Sequence, residues 1–176
     1  MKKIAGTLLI GLLVSTAAFA DHPKDKWGLG PVNGFSVGAD DWYGSLGLSL
    51  KAPVLPIFWG IYANLATWGI GGGLTGDFYI FDRSMVDTQT ANEEGTYHLK
   101  LDWYLGIGGF VDLLMWGDYA FFDAGARIPT GVSWHINESL ELSVGIAPSF
   151  GVNNWSEDYR FHFAVPMEIS FRFWRL

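Results

Sequence analysis

The sequence contains no cysteine, so disulfide bonds cannot hold the fold together in any compartment. The same absence excludes a lipid-anchored cysteine. Charged residues are scarce as well, at 16% of the chain against the ~25% of an ordinary soluble domain. Basic residues are the scarcest, since 11 Lys and Arg face 18 Asp and Glu. This balance argues against a nucleic-acid partner, because a phosphate backbone needs a basic surface.

Aromatic residues and glycine are abundant instead, with 16% aromatics and 23 glycines. A β-barrel in lipid accounts for this combination. Its outward side chains must be apolar, its aromatic rings favour the two membrane interfaces, and glycine fits its crowded positions.

Residues 1–20 have the parts of a secretory signal peptide. Lys2 and Lys3 precede a short apolar run over residues 4–14, and small residues flank Phe19 before Asp21. A membrane-spanning helix is disfavoured, because glycine, serine and threonine dilute a segment already at the lower length limit for spanning. We expect cleavage after Ala20, which leaves one barrel domain over 21–176 with nine basic residues against 18 acidic ones.

Alternation with a period of two recurs along most of the remaining chain. It is clearest over 96–110, where odd positions are apolar and even positions are polar or glycine. Comparable runs predict eight strands, near 29–38, 43–51, 57–66, 69–81, 96–110, 119–135, 140–149 and 159–173. The fold class predicted is all-β, an eight-stranded antiparallel up-and-down transmembrane β-barrel.

The two faces of these strands differ in bulk and in charge. A soluble eight-stranded barrel could not hold so many large apolar side chains, since its interior takes barely one layer. The bulky face is therefore expected to contact lipid and the polar face to line the lumen. The predicted lumen charge network comprises Asp77, Lys100, Asp102, Asp123, Arg127, Glu141, Arg160, Glu168 and Arg172.

Eight strands with both ends in the periplasm put the turns near 39–42, 67–68, 111–117 and 151–158 outside. This topology predicts two aromatic girdles, formed by Trp42, Trp68, Trp116 and Trp155 at the outer interface and by Trp59, Trp134, Phe171 and Phe173 at the inner one. The polar segment 82–95 is then predicted to be a periplasmic loop, longer than such turns usually are.

Several short motifs carry a family resemblance. They are residues 48–53, 103–109, 125–134, 140–142, 147–149 and 171–174. These stretches resemble small spirochaetal outer-membrane proteins, barrels similar to the transmembrane domain of OmpA, and the likeness runs from about Leu46 to the C terminus. It implies a barrel in the bacterial outer membrane and no reaction. The chain departs from the pattern at its end, where Arg175 and Leu176 follow the last aromatic residue.

Residues able to carry chemistry are present but not grouped by their spacing. Asp123 and Glu141 are candidate acids on adjacent strands, without an evident substrate cleft. His98, His135 and His162 face inward on separate strands, and no two have metal-ligand spacing. Ser133 and His135 share the lumen face, a pairing that resembles the residues of lipid A deacylase barrels, although those face lipid. No catalytic, cofactor or metal residue is predicted.

Arg127 is predicted to be the hub of the lumen network, paired with Asp102 and Glu141 on neighbouring strands. The function expected is a structural or surface-interaction role, with a charged, plugged lumen rather than an open pore and no enzymatic activity. The partners expected are outer-membrane lipid, the barrel-assembly machinery and an unidentified extracellular ligand, with no cofactor. The alternatives are an exported soluble lipocalin-like barrel and, less favoured, a lipid-modifying barrel enzyme.

Overall fold

The computed structural model describes residues 22–23, 25–37, 42–53, 55–66, 69–92, 95–116, 119–154 and 159–175. The signal peptide expected over 1–20 lies outside these ranges. Within them the regular structure is β-strand, and no helix is long and apolar enough to cross a membrane.

Eleven strand segments follow one another along the chain. They are β1 (Trp27–Val37), β2 (Trp42–Lys51), β3 (Ile57–Ala66), β4 (Gly69–Asn92), β5 (Gly95–Trp116), β6 (Tyr119–Arg127), β7 (Thr130–Asn137), β8 (Leu140–Ile146), β9 (Ser149–Asn153), β10 (Arg160–Ala164) and β11 (Met167–Arg175).

These segments form a wall of eight antiparallel strands. The first five segments are whole strands, whereas β6 with β7, β8 with β9, and β10 with β11 are each two halves of one strand. The wall closes because β1 pairs with β2 on one side and with β11 on the other. The predicted eight-stranded antiparallel barrel is confirmed.

Three prolines interrupt three adjacent strands of the wall. Pro129, Pro148 and Pro166 lack the amide hydrogen that a ladder needs, so each divides its strand into two segments. Their carbonyl groups accept hydrogen bonds of 2.8–2.9 Å from Gly106, Ile128 and Ala147, respectively. Each strand therefore keeps the same neighbours on both sides of its proline.

The segment 82–95, predicted to be a loop, belongs mainly to a long hairpin. β4 and β5 stay paired as far as Asn92 and Gly95, at the end of the barrel where β1 begins and β11 ends. We call this the proximal end, and the opposite one the distal end. Register shifts leave Ile80 and Met85 as extra residues in β4. The expectation of a loop is wrong because paired strands continue through the polar stretch.

Side chains alternate between the two faces of the wall as the sequence predicts. Leu46, Ile61, Leu113 and Phe163 are among the exposed apolar residues that cover the outside, while the buried residues are mostly polar and charged. This distribution is the reverse of that in a soluble barrel. The inside thus contains the charges, and the outside is apolar.

Aromatic rings fill part of the proximal lumen. Phe58, Tyr79 and Tyr104 stack in a row, with ring centroids 4.2 and 4.6 Å apart. The Tyr104 hydroxyl lies over the cross-strand pair Gly131 and Gly145, where a Cβ would come within 2.6 and 2.5 Å of it, respectively. Glycine at these two positions therefore makes the room that Tyr104 needs.

Candidate functional site

The most concentrated group of polar residues lies in the proximal lumen around His22, which precedes β1. The His22 ring is hydrogen-bonded through Nδ1 to Asp82, and its Nε2 lies 3.2 Å from Glu141 Oε1. Lys51 Nζ donates to the carbonyl of Pro23 at 2.6 Å. The segment before β1 is thereby bonded to three strands of the wall, and it fills the proximal lumen from within.

Glu141 is fully buried and lies at the centre of this group. Its Oε1 accepts a hydrogen bond of 2.7 Å from Arg172, and its Oε2 accepts one of 2.7 Å from the Trp174 indole. Burial would lower the pKa of the His22 imidazole, but Glu141 and Asp82 outweigh it and raise that pKa above its ordinary value. His22 therefore lies between two carboxylates, those of Asp82 and Glu141.

A second histidine borders the same group. His135 Nε2 lies 2.7 Å from Asp102 Oδ2, and Lys100 Nζ lies 3.4 Å from the same oxygen. The rings of His22 and His135 are 5.7 Å apart. Ligand atoms of His22, His135 and Glu141 all lie within 4.8 Å of one another, so these three residues could hold a metal ion.

Arg127 binds different acids from those the sequence suggested. Its Nη2 donates to both oxygens of Glu168 at 2.7 Å, and its Nε lies 3.1 Å from Asp77. The predicted partners Asp102 and Glu141 are wrong, because Arg127 lies farther from the proximal end than they do, and Glu141 pairs with Arg172 instead. Among the described residues, Arg127 and Arg172 therefore belong to two separate ion-pair groups rather than to one hub.

The distal half of the lumen contains a cavity of about 170 Å³. Tyr43, Tyr62, Phe110 and Phe121 contribute rings to its lining, beside acids that include Asp112. Asn64 donates to Asp112 at 2.7 Å, and His162 lies 2.8 Å from Asp123. Polar pairs therefore line this half, around open space.

Most of the predicted lumen network faces inward. Six of its members are buried, namely Asp77, Asp102, Asp123, Arg127, Glu141 and Arg172. Lys100 and Glu168 are half-buried and each is paired. Arg160 was assigned to the lumen because of its place in the alternation. It is exposed at the start of β10, so its burial gives no support to that assignment.

The predicted girdles can be compared with the structure only at the proximal end. Trp59, Trp134, Phe171 and Phe173 are exposed on the outer face there. The outer-interface residues cannot be compared, since the side chains of Trp42 and Trp116, and all of Trp68 and Trp155, lie outside the described residues, as does the His98 side chain.

The structure does not bring the candidate acids together. Asp123 lies in the distal half beside His162, whereas Glu141 lies in the proximal half. Ser133 and His135 do face the lumen, and Ser133 Oγ is 3.2 Å from Glu141 and 3.5 Å from His22 Nε2. Ser133 is fully buried, within a packed polar group.

Sequence reasoning missed His22 and Asp82. The extra residue Ile80 shifts the alternation, so that Tyr79 and Asp82 both face inward. His22 belongs to no alternating strand, and its burial depends on a fold-back of the segment before β1. The sequence carries no signal for this contact, because His22 and Asp82 are 60 positions apart.

The sequence matches no family model and no curated protein. Among solved structures, the fold is similar to that of Neisserial surface protein A (NspA), with a TM-score of 0.43 and 9% sequence identity. That similarity covers 84% of this chain and 95% of the other.

Proposed function

We propose that this chain is a small β-barrel protein of the bacterial outer membrane, with a closed lumen and a structural or surface-interaction role. One observation carries the proposal: exposed apolar side chains surround the barrel, while the buried charges lie inside it. Water would disfavour so large an apolar surface on a monomer. Lipid accommodates it, and an isolated charge facing lipid would cost ~2–4 kcal/mol near the midplane.

The side chains inside the barrel favour a plug over a pore. The aromatic stack of Phe58, Tyr79 and Tyr104 lies beside the ion pairs of Glu141 and Arg127. An eight-stranded barrel has an interior just wide enough for side chains, which leaves little room for a solute. A role at the cell surface, in contact with lipid or an extracellular ligand, suits such a barrel better than transport.

The same distribution weighs against the soluble alternative. A lipocalin-like barrel keeps an apolar cavity inside and a polar surface outside. The lipid-modifying alternative needs reacting groups within reach of lipid, whereas Ser133 and His135 face the lumen here.

Fractionation of cells tests the proposal. The protein should stay in the outer-membrane pellet after alkaline carbonate extraction, and unheated samples should migrate faster on denaturing gels than heated ones. Purified barrel in a planar bilayer should give no stable conductance steps. Release of the protein by alkali would contradict the membrane location, and regular conductance steps would contradict the closed lumen.

A further inference from the structure

The group of His22, His135 and Glu141 has the composition of a metal site. Two imidazoles and one carboxylate present ligand atoms within 4.8 Å of one another. They come from three separate elements, the segment before β1, β7 and β8. His22 and Glu141 are buried and His135 is mostly so, which keeps the ligand atoms away from bulk water.

Each histidine is oriented by a carboxylate that is not itself in the group. Asp82 bonds the Nδ1 of His22, and Asp102 lies 2.7 Å from the Nε2 of His135. Metal-binding histidines almost always have their second nitrogen held in this way, because the carboxylate fixes the ring and makes the ligand more basic. His22 Nε2 and His135 Nδ1 are the nitrogens that remain for a metal.

The spacing of the group fits a small tetrahedral ion. Zinc–nitrogen distances of ~2.0–2.1 Å put two ligand atoms of one ion about 3.3 Å apart. His22 Nε2 and Glu141 Oε1 are already 3.2 Å apart, and Ser133 Oγ is 3.5 Å from the same nitrogen. The three ligand atoms, which now lie within 4.8 Å of one another, would therefore need to move closer by at most about 1.5 Å.

The charges around the group are balanced when both imidazoles are neutral, as metal ligands must be. Three carboxylates, Asp82, Asp102 and Glu141, lie among three cations, Lys51, Lys100 and Arg172. Arg172 opposes a metal most directly, since its Nη1 lies 2.7 Å from Glu141 Oε1. The ligand types and their spacing, rather than a net charge, therefore carry the case for an ion.

We propose that His22, His135 and Glu141 bind one divalent ion of the Zn²⁺ class, which fastens the segment before β1 to the barrel wall. Nitrogen ligands select zinc and similar transition metals over calcium and magnesium, which take oxygen ligands. The inference goes beyond the proposed function, because it concerns these side chains alone and stands wherever the barrel resides.

Metal titration of the purified barrel tests this site. Untagged, chelator-treated protein beginning at Asp21 is refolded in detergent and titrated with Zn²⁺ by calorimetry, and separately with Co²⁺ by visible absorption. Wild type should take up one ion per barrel, and Co²⁺ should give the intense absorption of a tetrahedral site with nitrogen ligands. This part of the test needs no variant.

Two variants near the site and one control localise the ion. His135→Ala should weaken Zn²⁺ binding by more than ~100-fold, and Asp102→Asn, which keeps all three ligands, by ~10–100-fold. His162→Ala is the matched control, because His162 also bonds a carboxylate in the lumen, 2.8 Å away, but in the distal half. It should bind as wild type does. Heat-dependent gel mobility checks that each variant is folded.

Three results would overturn the proposal. They are the lack of saturable 1:1 binding by wild type, unchanged affinity in folded His135→Ala, and an equal loss in His162→Ala. None of them bears on the membrane location, which carbonate extraction tests separately.

Discussion

Arg127 has two acidic partners inside the barrel, and its removal should destabilise the fold strongly. Glu168 accepts two hydrogen bonds from it and Asp77 lies 3.1 Å from its Nε. Removing one partner of a buried ion pair typically costs ~3–5 kcal/mol, because the other charge stays buried alone. We expect Arg127→Ala to lower the unfolding midpoint in detergent far more than Arg160→Ala, which removes an exposed arginine.

A double-mutant comparison identifies which acid is coupled to Arg127. Adding Glu168→Gln to Arg127→Ala should recover part of the lost stability, since it deletes a stranded charge. Adding Glu141→Gln should recover none, because Glu141 pairs with Arg172. Equal recovery from both substitutions would contradict the two separate groups seen in the lumen.

Residue-level expectations succeeded where alternation alone decides the outcome. Asp102, Glu141 and Arg172 were assigned to the lumen from parity, and all three are buried. The partners of Arg127 were harder to predict, because they depend on how far each strand is shifted along its neighbours. The alternation of side chains gives the face of a residue but not this shift. His22 was missed for a different reason, since a fold-back outside the strands leaves no periodic pattern.

Among the elements, β3 offers a direct test of the outward face. Ile61 is 58% exposed at the middle of this strand, between Leu48 and Leu74 on its neighbours. A charge there should cost ~2–4 kcal/mol if that face contacts lipid. We expect Ile61→Arg to reduce the folding yield in lipid vesicles much more than Gln89→Arg, in the exposed hairpin. Equal yields would show that the face does not contact lipid.

The extra residue Ile80 in β4 gives a second prediction at this scale. Removing Ile80 would restore regular pairing with β5 and keep Asp82 inward, because Asp82 would retain its partner Tyr104. Removing Leu74, which is regularly paired, would instead slip one part of the strand by a residue and exchange its two faces. Deletion of Ile80 should therefore lower the unfolding midpoint in detergent less than deletion of Leu74. An equal or larger loss at Ile80 would contradict this account of the bulge.

The strands themselves were mostly predictable, whereas their lengths were not. The third strand was predicted at 57–66 and is found at Ile57–Ala66. β4 exceeds its predicted end at 81 and runs to Asn92, because polar side chains on a free hairpin alternate without an apolar face to mark them. β5 begins where it was predicted but runs to Trp116, so the outer turn predicted near 111–117 is wrong over 111–116, where pairing with β4 and β6 continues. The alternation of apolar and polar residues shows which face of a strand is buried. It gives no such information where neither face of the strand is buried.

At the scale of the whole molecule, the mature protein should begin at Asp21. Ala18 and Ala20 form the small-x-small motif that signal peptidase recognises, directly before Asp21. Mass spectrometry of the protein from membranes should give the mass of residues 21–176. A protein that retains Met1 would remove the signal peptide from the account.

The central claim is that the apolar face of the wall meets lipid and the charged face encloses the lumen. Two tryptophans at the same end of the barrel test it directly. Trp134 is 42% exposed on the outside, and Trp174 is 4% exposed inside, bonded to Glu141. Variants that keep only one of these two tryptophans, with phenylalanine at the others, provide matched fluorescent probes once their folding is checked by gel mobility.

The decisive measurement is the quenching of tryptophan fluorescence by brominated phospholipid in reconstituted vesicles. Brominated acyl chains should strongly quench the variant that retains Trp134 and barely affect the one that retains Trp174. Equal quenching of the two, or stronger quenching of Trp174, would contradict an apolar outer wall in lipid around a closed, charged lumen.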